Sequence, residues 1–254
     1  MLEISGIVLT KNNQQTIGTC LTSLKDIISE LIIIDDYSHD DTIAIIKGLW
    51  PEAKIFSRHL DRFDRQRNYG LSQAKYDWVL MLDSDEMISE KLEESIKGIV
   101  SDTNTQAFWT DRHNRFFEVY LKENYWNRPI LFKRSLRFKY PVHEILEVDR
   151  QKMKKLPGHI IHENWFGIAA NWKKMDRYSS LLAQKWQEQE RNYNKFLLFW
   201  LGIILPIRYF FICFFKKGFW RAGITKGILY SLLESSWWLA VALKYQELKE
   251  DKKI

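Results

Sequence analysis

The chain has 254 residues, a net charge of +6, 11 tryptophans and two cysteines. Two cysteines exclude a disulfide framework and a thiolate metal cluster, which fits a reducing, cytosolic setting, and the length allows one large core with an appendage. A basic and aromatic surplus suits either nucleic acid or an anionic membrane surface, and because the excess lies late in the chain, the membrane is the expected partner.

Met1 leads almost directly into Ile4-Ser5-Gly6-Ile7-Val8-Leu9 with no basic segment and signal-type core, so the amino-terminal part is not expected to be exported. That run predicts a first strand, followed by the loop Thr10-Lys11-Asn12-Asn13 and an amphipathic helix over about 15–25 carrying Ile17, Leu21 and Leu24. Leu31-Ile32-Ile33-Ile34 is a second buried-type strand ending in Asp35-Asp36. The segment 37–42 is rich in capping residues and precedes a helix with Ile43, Ile46 and Leu49, which Pro51 stops. Lys54-Ile55-Phe56 reads as a third strand, 65–74 as a helix, and Trp78-Val79-Leu80-Met81-Leu82 as a fourth strand that ends in Asp83-Ser84-Asp85-Glu86. Strands alternating with helices give a mostly parallel, right-handed sheet, with the acids of strands two and four on one rim.

A helix follows to about Val100. Short strands around 108–110, 116–121, 128–133, 140–146 and 159–162 then read as an antiparallel extension of the same sheet, before a polar helix over 168–190. Phe196 to Phe215 is almost wholly apolar, near the length of a membrane span, yet contains Pro206 and Arg208 and is followed by Lys216, Lys217, Arg221 and Lys226. A central arginine disfavours a clean span by roughly 2.5 to 3.5 kcal/mol, so broken or in-plane helices at a cytoplasmic membrane surface are expected. The expected organisation is a catalytic domain over 1–190 and a membrane-associating helical region over 191–254.

Asp83 and Asp85 are two residues apart. If the strand stays extended past Leu82, they point to one side and can share a hard divalent cation that in turn holds a diphosphate.

Four motifs in order, Thr10-Lys11-Asn12, Ile33 to Thr42, Gln66-Arg67-Asn68-Tyr69-Gly70 and Leu82 to Glu86, resemble the inverting family 2 glycosyltransferases. Arg128 to Phe132, Val142-His143-Glu144, Ile161-His162 and Arg177-Tyr178-Ser179 extend the likeness to bacterial lipopolysaccharide core β-1,4-glucosyltransferases, although Gln14 stands where that subgroup often has Glu.

The resemblance implies an α/β GT-A fold with a mixed central sheet, a UDP-sugar donor and a lipid-linked saccharide acceptor. It implies nucleotide-sugar contacts from Thr10, Asn12, Asp35, Asp36, Arg67, Asn68, Asp83 and Arg128. A divalent ion, Mg²⁺ or Mn²⁺, would be held by Asp85 with Asp83 and His162, and Glu144 with His143 beside it would take the acceptor proton. Arg177 and Tyr178 are further candidate contacts. The leading expectation is a hexosyltransferase moving glucose from UDP-glucose onto an acceptor such as the lipopolysaccharide inner core, peripherally bound to the inner face of the cell membrane. Another surface polysaccharide or glycolipid with a different UDP-sugar is the alternative. Nucleotidyl transfer is disfavoured by the lack of a glycine in 9–13, and nucleic-acid binding by the acidic strand ends.

Overall fold

The computed structural model describes residues 2–99, 104–116, 119–124, 129–140, 145–163, 168–188 and 193–251. The chain forms two compact units: Met1–Asn114 with Lys122–Asn164, and Arg115–Leu121 with Trp165–Ile254. The sequence reading draws its boundary later, at 190; the polar helix therefore falls with the carboxyl-terminal helices.

The first unit is built on strands β1 (Ile4–Thr10), β2 (Glu30–Asp35), β3 (Lys54–Ser57) and β4 (Trp78–Asp83), separated by helices α1 (Ile17–Thr22), α2 (Thr42–Leu49) and α3 (Phe63–Gln73). Then come β5 (Glu86–Ile88), α4 (Glu90–Lys97), β6 (Ala107–Phe116), β7 (Val119–Asn124), β8 (Leu131–Lys133), β9 (Phe138–Lys139), β10 (Ile145–Leu146) and β11 (Met153–His162). The main sheet runs β3-β2-β1-β4-β8-β6-β11-β5, with β7 paired to β6 and β9 with β10 forming a separate ribbon. The first four strands are parallel to one another, whereas β8 joins β4 and β6 antiparallel, so the sheet is mixed as expected.

The parallel strands are apolar on both faces because helices cover both. One core cluster holds Val8, Ile17, Leu21, Ile33 and Leu80, and the other holds Ile7, Ile32, Ile34, Leu71 and Val79. Two glycines set the close approaches. A Cβ on Gly70 would lie 2.9 Å from Ile7 Cγ2, so its absence lets α3 settle onto β1. Gly158, at φ +97°, sits in the irregularity between Lys155 and His159 of β11, where a Cβ would lie 2.4 Å from the backbone nitrogen of Leu92 at the start of α4.

The structure corrects one expectation at the end of β4. The chain does not stay extended: Ser84 and Asp85 form a turn, and Glu86 opens β5, which pairs antiparallel with β11. The cause is local, since the Glu86 carboxylate reaches back to accept the Asp83 N–H at 3.1 Å.

In the second unit, α5 (Ile168–Glu188) packs with α8 (Ile224–Asp251). Lys244 of α8 ties the two by donating to Asp176 Oδ1 at 2.5 Å and Ser180 Oγ at 2.8 Å. Between them α6 (Lys195–Phe199) continues through a π-turn (Trp200–Ile204), α7 (Leu205–Phe211) and a second π-turn (Ile212–Lys216). The chain stays helical through Pro206, which follows closely on the π-turn Trp200–Ile204, a common accompaniment of irregularity in the hydrogen-bond ladder. By length and composition Phe196–Lys216 is one helix that can cross a membrane, and only 17% of its apolar window is buried.

Candidate active site

The strand register assembles the site. Thr10 is level with Asp35 across β1 and β2, and Leu9 is level with Asp83 across β1 and β4, so the acids closing β2 and β4 share one rim with Thr10 between them. Carboxyl ends of parallel strands are where ligands gather in such sheets. A groove lined by Ile43, Lys47, Ala53, Ile55 and Ser57 runs between α2 and β3 and touches none of these acids.

On the β2 side, the loops after β1 and β2 are laced together. Asn12 N donates to Ser38 Oγ at 2.9 Å, His39 N to Asn12 Oδ1 at 2.8 Å and Asn13 N to Thr42 Oγ1 at 2.7 Å. Gln14 joins the lacing twice: its N–H donates to Asp40 Oδ2 and its carbonyl Oε1 accepts from Asp41 N, each at 3.1 Å. An amide there adds no third negative charge beside Asp40 and Asp41. Asn12 (φ +51°) and Tyr37 (φ +54°) both hold left-handed backbone in this lacing.

Asp35 and Asp36 divide their work. Asp35 is 3% exposed and accepts from Ser38 N at 3.0 Å and Ser38 Oγ at 2.5 Å, so its carboxylate closes the turn. Asp36 accepts from Lys11 Nζ at 2.6 Å and Leu60 N at 3.1 Å, with His59 Nδ1 at 3.5 Å. Burial pushes the Asp36 carboxyl up, but the Lys11 and Leu60 bonds outweigh it and hold the group below its ordinary range. Tyr37 lies against His59 with ring centroids 4.1 Å apart and planes tilted by 34°, placing an aromatic pair beside this carboxylate. Thr10 is 5% exposed and its hydroxyl has no partner among the described residues.

On the β4 side, Arg67 is 2% exposed and donates to Asp83 Oδ1 at 2.9 Å while its guanidinium lies 5.6 Å from the Phe138 ring centre. It holds Asp83 in place. Asn68, an expected nucleotide contact, uses both amide atoms on the Phe138 backbone at 2.9 Å each and so clamps β9.

Asp85, in the turn that follows, has its Oδ2 3.3 Å from His162 Nε2. The other ring nitrogen of His162 meets Asn114 Oδ1 at 2.8 Å, which makes Nδ1 the protonated nitrogen. Nε2 then faces the Asp85 carboxylate, a contact that becomes favourable with a positive charge between them. Burial first, then Glu86, Asp85 and Asp83, raise the pKa of the Cys20 thiol, which reaches the Asp83 carbonyl oxygen at 3.6 Å.

Among the described residues no group of three His, Cys, Asp or Glu side chains gathers closely enough to hold an ion alone. Two donors suit an ion that completes its shell with phosphate oxygens and water, the usual habit of Mg²⁺ beside a nucleotide. The Asp85 and His162 pair therefore fits a divalent ion, while Asp83 has its Oδ1 engaged by Arg67.

Glu144, His143 and Arg128 lie outside the described residues. Arg177 and Tyr178 are exposed on α5 of the second unit. Sequence reasoning gave no role to Lys11, Glu86 or Asn114; the first two stand inside the matched motifs, while nothing in the sequence marks Asn114.

A family model described as "Glycosyl transferase family 2" matches residues 5–177. An uncharacterised glycosyltransferase of Rickettsia typhi is 33% identical over 42% of this chain and 36% of its own length, so the chain spans little more than a third of that relative. The lipopolysaccharide core biosynthesis glycosyltransferase LpsC of Rhizobium meliloti is 22% identical over 88% of this chain and 85% of its own. Among solved structures, S. aureus TarS 1–349 in complex with UDP-GlcNAc superposes with a TM-score of 0.50 over 94% of this chain and 82% of that one, at 14% identity, a likeness of fold alone.

Proposed function

The chain belongs to glycosyltransferase family 2, and from that premise we propose that it transfers a hexose, glucose from UDP-glucose, with inversion onto a lipid-linked saccharide such as the lipopolysaccharide inner core. The likeness to LpsC along most of both chains supports a lipopolysaccharide-type acceptor presented at the cytoplasmic face of a membrane. The observation that carries the reading is the shared rim: Thr10, Asp35 and Asp83 close β1, β2 and β4 side by side, with Asp36 next after β2 and Asp85 in the turn after β4.

Asp36 accepts N–H and hydroxyl donors of the uridine, with Lys11 holding its carboxylate ionised, and the buried Thr10 hydroxyl is available to the same ligand. Asp83, steadied by Arg67, reaches the ribose. Asp85 and His162 would hold a divalent ion, Mg²⁺ or Mn²⁺, whose chemistry is to neutralise charge on the departing diphosphate. Asn114 fixes the His162 ring so that Nε2 keeps its lone pair for that ion. Arg128 is assigned to the donor. Glu144, with His143, is assigned to the acceptor, accepting the hydroxyl proton as the oxygen attacks the anomeric carbon from the side opposite UDP.

The test is UDP release from a panel of UDP-sugars, with and without a core lipid acceptor. Release from UDP-glucose should need the acceptor, stop on chelation and return with Mg²⁺ or Mn²⁺. Asn114→Ala, which frees the His162 ring, should cost roughly 10 to 100-fold in metal affinity or activity, and Asp85→Asn, which removes a direct ligand, should cost more. Turnover indifferent to chelation and to Asp85→Asn would remove the ion. No UDP release from any sugar nucleotide would remove the transferase.

A further inference from the structure

We propose that the helical hairpin of the second unit lies flat in an anionic bilayer leaflet, its apolar row among the acyl chains and its basic turn on lipid phosphates. This deepens the membrane partner named above and rests on that reading.

The charge pattern comes first. From Lys195 to Leu233 the chain carries six basic residues, Lys195, Arg208, Lys216, Lys217, Arg221 and Lys226, and no Asp or Glu. Lys217 and Arg221 fall in the turn between Phe196–Lys216 and α8, with Lys216 and Lys226 on the helix ends that flank it. The turn also exposes Trp220, and an aromatic beside cations is the composition that bilayer interfaces select.

The apolar side is equally ordered. Phe196, Phe199, Ile203, Ile207, Phe211 and Phe215 are each between 44% and 75% exposed. In an uninterrupted α-helix, residues four apart drift round the axis by about 40° per step, and such a row would wind off its face. The two π-turns rotate less per residue and cancel much of that drift, so the row keeps to one side of the helix. On α8, Ile224, Leu229 and Leu232 are exposed too, while the two helices meet where Gly202 approaches Ala242. A water-exposed monomer rarely leaves so much apolar surface uncovered.

Charge selects among partners. A second copy of the chain would bring the same unbalanced cations together in a symmetric interface. Nucleic acid would satisfy the cations and leave the phenylalanines wet. An anionic leaflet satisfies both.

The helix is long enough to cross, but crossing would set Arg208 at mid-membrane and carry the turn's cations to the far face, against the positive-inside preference. Lying in the interface keeps every cation at headgroup depth.

The test uses the full chain with vesicles of phosphatidylcholine alone or mixed with phosphatidylglycerol. The chain should co-sediment with the anionic vesicles and be released by salt. Replacing Lys216, Arg221 and Lys226 together with Gln should weaken binding roughly 100-fold, at about fivefold per cation, with unchanged circular dichroism. Cys20 and Cys213 are both buried, so an impermeant maleimide on Trp220→Cys reports the turn, which should label from outside the vesicle.

Equal binding to both vesicle types, binding to neither, or protection of position 220 until detergent is added would each overturn the proposal. A chain that releases UDP yet ignores vesicles removes this inference and leaves glycosyl transfer standing. Vesicle binding without UDP release does the reverse.

Discussion

The Arg67–Asp83 pair offers the sharpest check on how the rim is held. Arg67→Met removes the guanidinium but keeps most of the stem volume. Asp83 keeps its backbone anchor, since its N–H is bound by Glu86 whatever its own side chain does. What changes is the partner of a carboxylate whose side chain is 30% exposed, set against a guanidinium that is 2% exposed. Breaking a fully buried pair costs about 3 to 5 kcal/mol, and the partial hydration of Asp83 pulls this case to the lower end, about 3 kcal/mol with the lost contact to the Phe138 ring included. For a unit of this size that is a fall of ~6 to 12 °C in Tm.

Asp83→Asn alone takes that carboxylate from the buried cation, and the double variant removes both charges. A thermodynamic cycle over the four proteins by urea denaturation should therefore give a coupling of about 1.5 to 3 kcal/mol. Coupling below about 0.5 kcal/mol, or an unshifted Tm for Arg67→Met, would refute the claim that this ion pair positions Asp83.

Two further outcomes follow from the packing. Gly158→Ala forces a Cβ to 2.4 Å from Leu92 N at a backbone φ of +97°, and strain with overpacking should together cost roughly 3 kcal/mol; a shift in the urea midpoint worth less than 1 kcal/mol would contradict the close approach of α4 and β11. Burial lowers the pKa of His159, only partly offset by Asp111, so the unfolded chain gains the proton at higher pH than the folded one. Its stabilising contribution is full above the ordinary histidine value near ~6.5 and is lost as pH falls through the folded value. Wild-type stability should therefore decline more steeply between neutral and mildly acidic pH than that of His159→Phe, and parallel slopes would show that His159 does not carry the effect.

Much of the rim was legible because its signals are local. Leu31 to Ile34 and Trp78 to Leu82 are unbroken apolar runs, and runs of that kind declare buried parallel strands whose ends carry whatever polar residues follow. The fates of individual side chains were not legible, because they depend on partners far along the chain. Asn68 looks like a ligand contact until Phe138, 70 residues on, takes both ends of its amide. Arg67 looks solvated on a polar helix; the available hint was Gly70, one turn later on the same face, which lets α3 press that arginine into the sheet. β5 was missed because three residues beginning with a glutamate show no strand pattern, and that glutamate is buried through its bonds to the Asp83 N–H and Arg112.

The lacing between the loops after β1 and β2 makes them a single mechanical part. Asn12, Asn13 and Gln14 on one side and Ser38 through Thr42 on the other cannot swing independently, because each hydrogen bond that ties them also fills a backbone donor. Under the proposed reading, a nucleoside arriving beside Asp36 would meet a wall whose ordering entropy was lost when the chain folded, so little would be left to lose on association. Damage should spread by the same route: a substitution at Asn12 would loosen the far loop as much as its own, and amide exchange in the two should rise in step.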